Sequence, residues 1–145
     1  MVIDLPMYHL DKLLKDFTQD STLPCTILLV EAEGLDIEPD EITFDQLEDL
    51  ANMHDDEYEI VQIIRNAGET LETAMKLCEG YDNQVYHGVK TMGDVAYTQA
   101  FFRDELENIP DFIKRNIDWE AIGREKEGNE HWYLDTVTNK AVEIY

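Results

Sequence analysis

The chain has 145 residues, 43% of them hydrophobic and 10% aromatic, which suits one domain or two to three small subdomains and excludes a disordered acidic tail. Its formal net charge is −22, a field that repels nucleic acid and anionic membrane and attracts basic surfaces. No run approaches the roughly 18 apolar residues of a membrane helix and Met1–Leu14 has no signal-peptide core, so a cytoplasmic protein is expected.

From the N-terminus, Pro6 followed by Leu10, Leu13, Leu14 and Phe17 predicts an amphipathic helix with proline in its first turn. Cys25–Val30 reads as a short buried strand and Glu31–Glu41 as an acidic loop around Gly34 and Pro39. Thr43 with Gln46 three residues on forms a capping-box start. The helix that follows turns Phe44, Leu47, Leu50 and Ala51 inward and Asp45, Glu48 and Asp49 outward. A second helix is predicted over Asp55–Ala67, with Ile60, Ile63, Ile64 and Ala67 on one stripe and Gly68 as its C-terminal cap. Thr70–Glu79 predicts a third, ended by Gly80, and Gln84–Val89 a short strand.

Thr91 is expected to cap a longer helix from Asp94 to about Glu107, with Val95, Phe102 and Leu106 on one side. A short helix over Pro110–Asn116 precedes one capped by Asp118 that runs from Trp119 to Lys126 and closes at Gly128. The end reads as a β-hairpin, His131–Thr136 and Lys140–Tyr145 around Thr138 and Asn139. The sum is an α+β chain of short helices and small β elements. Three subdomains are expected: residues 1–53, a helical middle over 54–93, and 94–145.

The distribution of charge says more than its total. Between Lys15 and Arg65 lie fifteen acids and no Lys or Arg. Most fall in one block: Glu31, Glu33, Asp36, Glu38, Asp40, Glu41, Asp45, Glu48, Asp49, Asp55, Asp56, Glu57 and Glu59. A surface selected for solubility alone intersperses both signs, because like charges at helical neighbour spacing cost a few tenths of a kcal/mol per pair. Apolar residues recur through the block at structured spacing, so it reads as a folded surface kept negative. Duplex DNA carries a charge per about 1.7 Å of axis, so a charge of −22 matches roughly 37 Å, or about 11 base pairs.

Catalytic signatures are missing. The sequence contains no GxxxxGK[ST], GxGxxG or GxSxG, and His9, His54, His87 and His131 are scattered outside any HExxH. Asp36, Glu38 and Asp40 imitate the start of a calcium loop, but Glu41 stands where the turn requires glycine and Leu47 where a bidentate glutamate is required. Cys25 and Cys78 lack CxxC spacing and read as core residues. No enzyme, cofactor or metal is expected. Direct nucleic-acid binding is disfavoured by the few, acid-surrounded cations.

The run Ile109-Pro-Asp-Phe-Ile-Lys-Arg-Asn-Ile-Asp-Trp-Glu-Ala-Ile-Gly-Arg-Glu125 resembles a segment of the ArdA antirestriction family. The matching positions are Ile109, Pro110, Ile117, Asp118, Glu120, Ala121, Gly123 and Arg124, with Trp119 for the usual Tyr and Glu125 for Asp. The preceding helix from Asp94 is similar as well, and the resemblance becomes loose upstream of it. It implies an elongated, acidic homodimer of phage or mobile-element origin, acting in a bacterial host cell. Such a protein mimics bent DNA and occupies the DNA groove of a type I restriction–modification methyltransferase/specificity core. Family members begin with an extra strand-rich segment, so a reduced N-terminal subdomain and a shorter DNA-like surface are expected here.

The first functional expectation is therefore a non-catalytic DNA mimic. The acids of the block would be its phosphate substitutes, supported by Asp104, Glu105, Glu107, Asp111, Glu120, Glu125 and Glu127. Dimer contacts are expected from Tyr97, Phe101, Phe102, Phe112 and Trp119. Alternative readings are a decoy for another DNA or RNA enzyme such as a CRISPR effector, a metal-dependent hydrolase hidden among the carboxylates, and a generic acidic partner for basic proteins.

Overall fold

Thr43 starts the first helix that can be described, and it does so by the box its sequence predicts. Its hydroxyl accepts from the Gln46 amide at 3.3 Å while its own amide donates to Gln46 Oε1 at 2.9 Å. The structure, a computed structural model, describes Leu35, Ile37 and residues 42–80, 82–129 and 131–145. The helix expected after Pro6, the strand over Cys25–Val30 and nearly all of the acidic loop lie outside the described residues. The element order is α1 (Phe44–Asn52), α2 (Asp55–Asn66), α3 (Leu71–Cys78), β1 (Gln84–His87), α4 (Met92–Phe102), α5 (Asp111–Lys114), α6 (Trp119–Asn129), β2 (Trp132–Asp135) and β3 (Lys140–Glu143). The fold is α+β with a C-terminal hairpin. No helix among the described residues is long and apolar enough to cross a membrane.

Two compact units form: one runs to Arg65 and includes Glu69–Glu79, and the other comprises Asn66–Gly68 and Gly80–Tyr145. In the first, Leu50 and Ala51 of α1, Ile60, Val61, Ile63 and Ile64 of α2, and Leu71, Ala74 and Met75 of α3 are buried. Leu50, Ala51, Ile60, Ile63 and Ile64 are inward positions read from the sequence, whereas Leu47, also expected inward, is half-buried. Ala67 is exposed, because α2 stops at Asn66 and the chain turns through Gly68. That glycine has φ +105, and the Glu69 amide returns to the Ile64 carbonyl at 3.3 Å. This six-to-one closure needs a left-handed residue, the conformation glycine adopts without strain.

The second unit is built on a three-stranded antiparallel sheet of order β1-β3-β2. The hairpin β2–β3 was legible in sequence. The pairing of β1 with β3, Gln84 opposite Glu143 through His87 opposite Lys140, joins segments far apart in the chain. Tyr86, Val89, Met92, Val95, Trp132 and Ala141 form the core against this sheet, with the Tyr86 and Trp132 rings 5.4 Å apart and tilted.

Two further helix ends differ from expectation. Thr91 caps α4 as expected, through a box with Asp94, but α4 ends at Phe102 rather than near Glu107. There the Glu105 amide returns to Ala100 O at 3.1 Å and the Asp104 amide to Phe101 O at 3.2 Å, the same closure as at Gly68. Because the helix stops, Leu106 leaves it, and Phe102 projects from its last turn at 72% exposure instead of joining Val95 in the core. The buried stripe is Met92, Val95, Ala96, Gln99 and Ala100. Gly128 does not close α6 but lies inside it, in open surroundings, where glycine costs about 1 kcal/mol relative to alanine.

Asp104 holds the left-handed position of its closure with φ 54, a conformation that costs a residue with a Cβ about 1 kcal/mol. Asp104→Gly is expected to raise stability by roughly 0.5 kcal/mol, part of the gain being lost to the greater freedom of glycine in the unfolded chain. A higher urea midpoint at an unchanged slope would register it.

Candidate functional site

The acids singled out in the sequence separate into two groups once folded. Asp45, Glu48 and Asp49 lie on α1 and Asp55, Asp56, Glu57 and Glu59 on α2. Asp45, Asp49, Asp55 and Asp56 are exposed, and Glu48, Glu57 and Glu59 are half-buried. Glu31, Glu33, Asp36, Glu38, Asp40 and Glu41 fall outside the described residues.

Local structure accounts for part of this charge. Asp55, Asp56 and Glu57 fill the first turn of α2, where carboxylates are favoured by the helix dipole. Glu57 also accepts from the His54 amide at 3.0 Å. No such reason applies to Asp49 on α1, whose last turn carries no cation to balance it. The two cations among the described residues of this unit have other work. Lys76 is held by Glu72 at 2.6 Å, with both side chains about 70% exposed, and this contact lowers the Glu72 carboxyl from its ordinary range, through the hydrogen bond first and charge second. Arg65 donates to the Glu69 carbonyl at 2.8 Å. The solvent side of α1 and of the start of α2 is therefore negative, with its carboxylates on helical backbone.

In the second unit, Asp104, Glu105, Glu107, Asp111, Glu120, Glu125 and Glu127 are all exposed, but Arg103, Lys114, Arg115, Arg124 and Lys126 are interspersed with them in sequence. Asp111 lies 3.9 Å from Lys114. Glu120 accepts from the Thr91 hydroxyl at 2.7 Å, which ties α6 to the start of α4. This second group is a mixed surface, and part of it is structural.

Aromatic side chains of α4 outside its buried stripe are exposed. Tyr97 is 48%, Phe101 59% and Phe102 72% exposed. The Tyr97 ring meets half-buried Trp119 edge-on at 5.4 Å and stacks toward Phe101 at 6.5 Å, and Phe101 meets Phe102 at 6.0 Å. Phe112, at 70%, and Ile113, at 44%, are exposed on α5. A helix apolar on both sides is ordinarily covered on both.

Buried polar groups were not foreseen. Asp135 is fully buried and accepts from Asn66 Nδ2 at 2.9 Å, from the Val137 and Thr138 amides at 2.8 and 3.2 Å, and from the Thr138 hydroxyl. Burial pushes its carboxyl upward, yet the hydrogen bonds from Asn66 and Thr138, with those of the two amides, outweigh burial and hold it below the ordinary carboxylate value. A depressed folded value means that this contribution is full above the unfolded value and lost as pH falls through the folded one. Stability from this site should therefore decline below about pH 4. Asp135→Ala is expected to cost about 2–3 kcal/mol, because it leaves buried donors unpaired. Thermal melts of the variant and wild type at pH 7 and pH 3 should show the gap narrowing in acid.

Glu143 and Gln99 are likewise buried. Gln99 Nε2 donates to Glu143 Oε2 at 3.2 Å, and the Tyr86 hydroxyl lies 3.4 Å from the same oxygen. Burial, and then the Glu143 charge, pushes the Tyr86 phenol up to about 12. One sequence signal pointed this way: Glu143 interrupts the otherwise apolar Ala141–Tyr145.

Among the described residues no group of three or more His, Cys, Asp or Glu side chains is placed to hold a metal ion. Comparison with family models, curated proteins and solved structures finds no match to this chain.

Proposed function

We propose that this protein is a non-catalytic inhibitor of a DNA-handling enzyme. In this reading its carboxylates occupy the sites where the enzyme would bind DNA phosphates. The observation that carries the reading is the unmixed acidic side of α1 and of the start of α2, where Asp45, Glu48, Asp49, Asp55 and Asp56 stand on folded helices with no Lys or Arg between Lys15 and Arg65. A groove that gains affinity by neutralising phosphates has Lys and Arg placed to meet such a surface. Helical acids at i and i+4 stand about 6 Å apart, comparable to phosphates along one strand. No base edges are offered, so groove shape rather than sequence preference selects the target. The resemblance of Ile109–Glu125 to ArdA proteins supports a type I restriction–modification core as that target.

The same reading includes a homodimer, supported by the exposed strip of Tyr97, Phe101 and Phe102, since monomers rarely leave large contiguous apolar patches in water. The cations interspersed near this strip let two strongly acidic chains meet there. Light scattering at tens of micromolar should give the mass of two chains, and a monomer at that concentration removes the dimer.

The inhibitor reading is tested by competition between the protein and a labelled cognate duplex for a purified type I methyltransferase core, across a salt series. Stoichiometric displacement that weakens steeply with salt is expected. No displacement at micromolar protein would refute a type I target, and displacement insensitive to salt would refute phosphate mimicry.

A further inference from the structure

The first unit contains an open pocket of about 390 Å³ lined by residues of α1, α2 and α3 and their flanks. What distinguishes it from the rest of the acidic surface is its shape and its apolar wall, since carboxylates also stand on the convex helix faces around it. Met53, Met75 and Cys78 supply thioether and thiol surface, and Met75 and Cys78 are themselves buried. Asp49, Glu57 and Glu79 supply carboxylates at the same pocket. The lining's one cation, Lys76, is engaged by Glu72 at 2.6 Å. Those five charged groups together carry a net charge of −3.

The thiol registers this environment independently of shape. Burial first, and then the Glu57 and Glu79 charges, push Cys78 up to about 11, so at neutral pH it is a protonated, unreactive wall and not a nucleophile. A weakly polar wall beneath several carboxylates matches one kind of side chain: an apolar stem ending in a delocalised cation. Arginine fits better than lysine, because its planar, weakly hydrated head can meet more than one carboxylate and its stem packs on apolar surface.

We infer that this pocket receives an arginine side chain of the inhibited protein, which makes it a shaped anchor within a broader electrostatic surface. The inference rests on the inhibitor reading for the identity of the partner, but the pocket itself can be probed alone. Interfaces of this kind concentrate binding in a few desolvated pockets filled by Trp, Tyr or Arg.

The direct test labels the methionine methyl groups of the full chain with ¹³C and titrates it with the peptide acetyl-Gly-Arg-Gly-amide, then with the same peptide carrying citrulline. The five methionines include Met92, which lies in the core of the other unit and serves as an internal reference. Saturable shifts at Met53 and Met75, a still Met92 and at least about tenfold weaker binding of the neutral peptide are expected. Still Met53 and Met75 resonances, equal binding of citrulline, or the same shifts from magnesium at equal concentration would each overturn the pocket.

A second arm fills the pocket without changing net charge. Met53→Trp, at a partly exposed position, should weaken displacement of duplex from the methyltransferase core about tenfold. An unchanged competition curve with a folded variant overturns the anchor. If wild-type protein displaces no duplex while the peptide arm succeeds, the pocket stands and the type I target falls.

Discussion

Gly123→Ala is expected to destabilise the second unit by about 2–3 kcal/mol, against the trend for alanine in a helix. In an isolated helix the change would be favourable by about 1 kcal/mol. Here a Cβ at Gly123 would stand 2.3 Å from the Met92 carbonyl carbon and 2.5 Å from both Met92 O and Gly93 N. All three are backbone atoms in the first turn of α4, and no rotamer change relieves them. Gly93 is the other half of the crossing, but a Cβ there meets mainly the Glu120 carboxylate, at 2.5 Å. That group can swing away at the loss of its bond from Thr91. Gly93→Ala should therefore cost less than Gly123→Ala. Gly128→Ala is the internal control: it lies in the same helix with nothing within 4 Å, and it should stabilise by up to about 1 kcal/mol. Thermal denaturation should place Gly123→Ala roughly 8 °C below wild type and Gly128→Ala slightly above it. Equal effects at the two glycines would refute the close crossing.

The crossing bears on the proposed dimer because α4 and α6 carry Tyr97 and Trp119. A Gly123 variant that remains folded at low temperature should thus lose self-association before it loses the acidic helices of the first unit.

The second large effect is collective. Replacing Asp45, Glu48, Asp49, Asp56 and Glu59 together by their amides should weaken inhibition about 100-fold, since five charge contacts, three exposed and two half-buried, at roughly 0.5 kcal/mol each sum to about 2.5 kcal/mol. Each single replacement should cost no more than about threefold. The dependence of affinity on salt should flatten in the same variant, because fewer counterions are released. Glu57 is left in place since it caps the start of α2 through the His54 amide. Stability should change by no more than about 1 kcal/mol, because relief of like charges at helical neighbour spacing offsets the loss of Asp56 from the first turn of α2. A folded five-fold variant that inhibits as well as wild type would end the phosphate-mimic reading. So would one single-site amide variant that abolished inhibition while keeping the fold.

Those acids, and the helices under them, were legible without coordinates. The starts of α1, α3 and α4 rest on Thr43, Thr70 and Thr91, each capping an amide three residues away, and the stripe Ile60, Ile63 and Ile64 follows from one turn of helix. Gly68 and the hairpin after Trp132 are equally local. Interactions within three or four residues, together with the running sum of charge, are properties of sequence order, so the sequence by itself determined them.

Tertiary structure decided the rest. Whether α4 continued past Phe102 depended on the closure at Asp104, a residue without glycine's obvious signature. Which strand β3 would accept on its free edge, and that Gln99 and Tyr86 would converge on Glu143, joined positions more than forty residues apart. Gly123 carried no local mark of its contact with Met92. Asp135 reads as one more acid in an acidic chain until Asn66 and the turn amides surround it. In each case the deciding term is the close approach of backbone or buried polar groups from distant segments, which short-range periodicity does not encode.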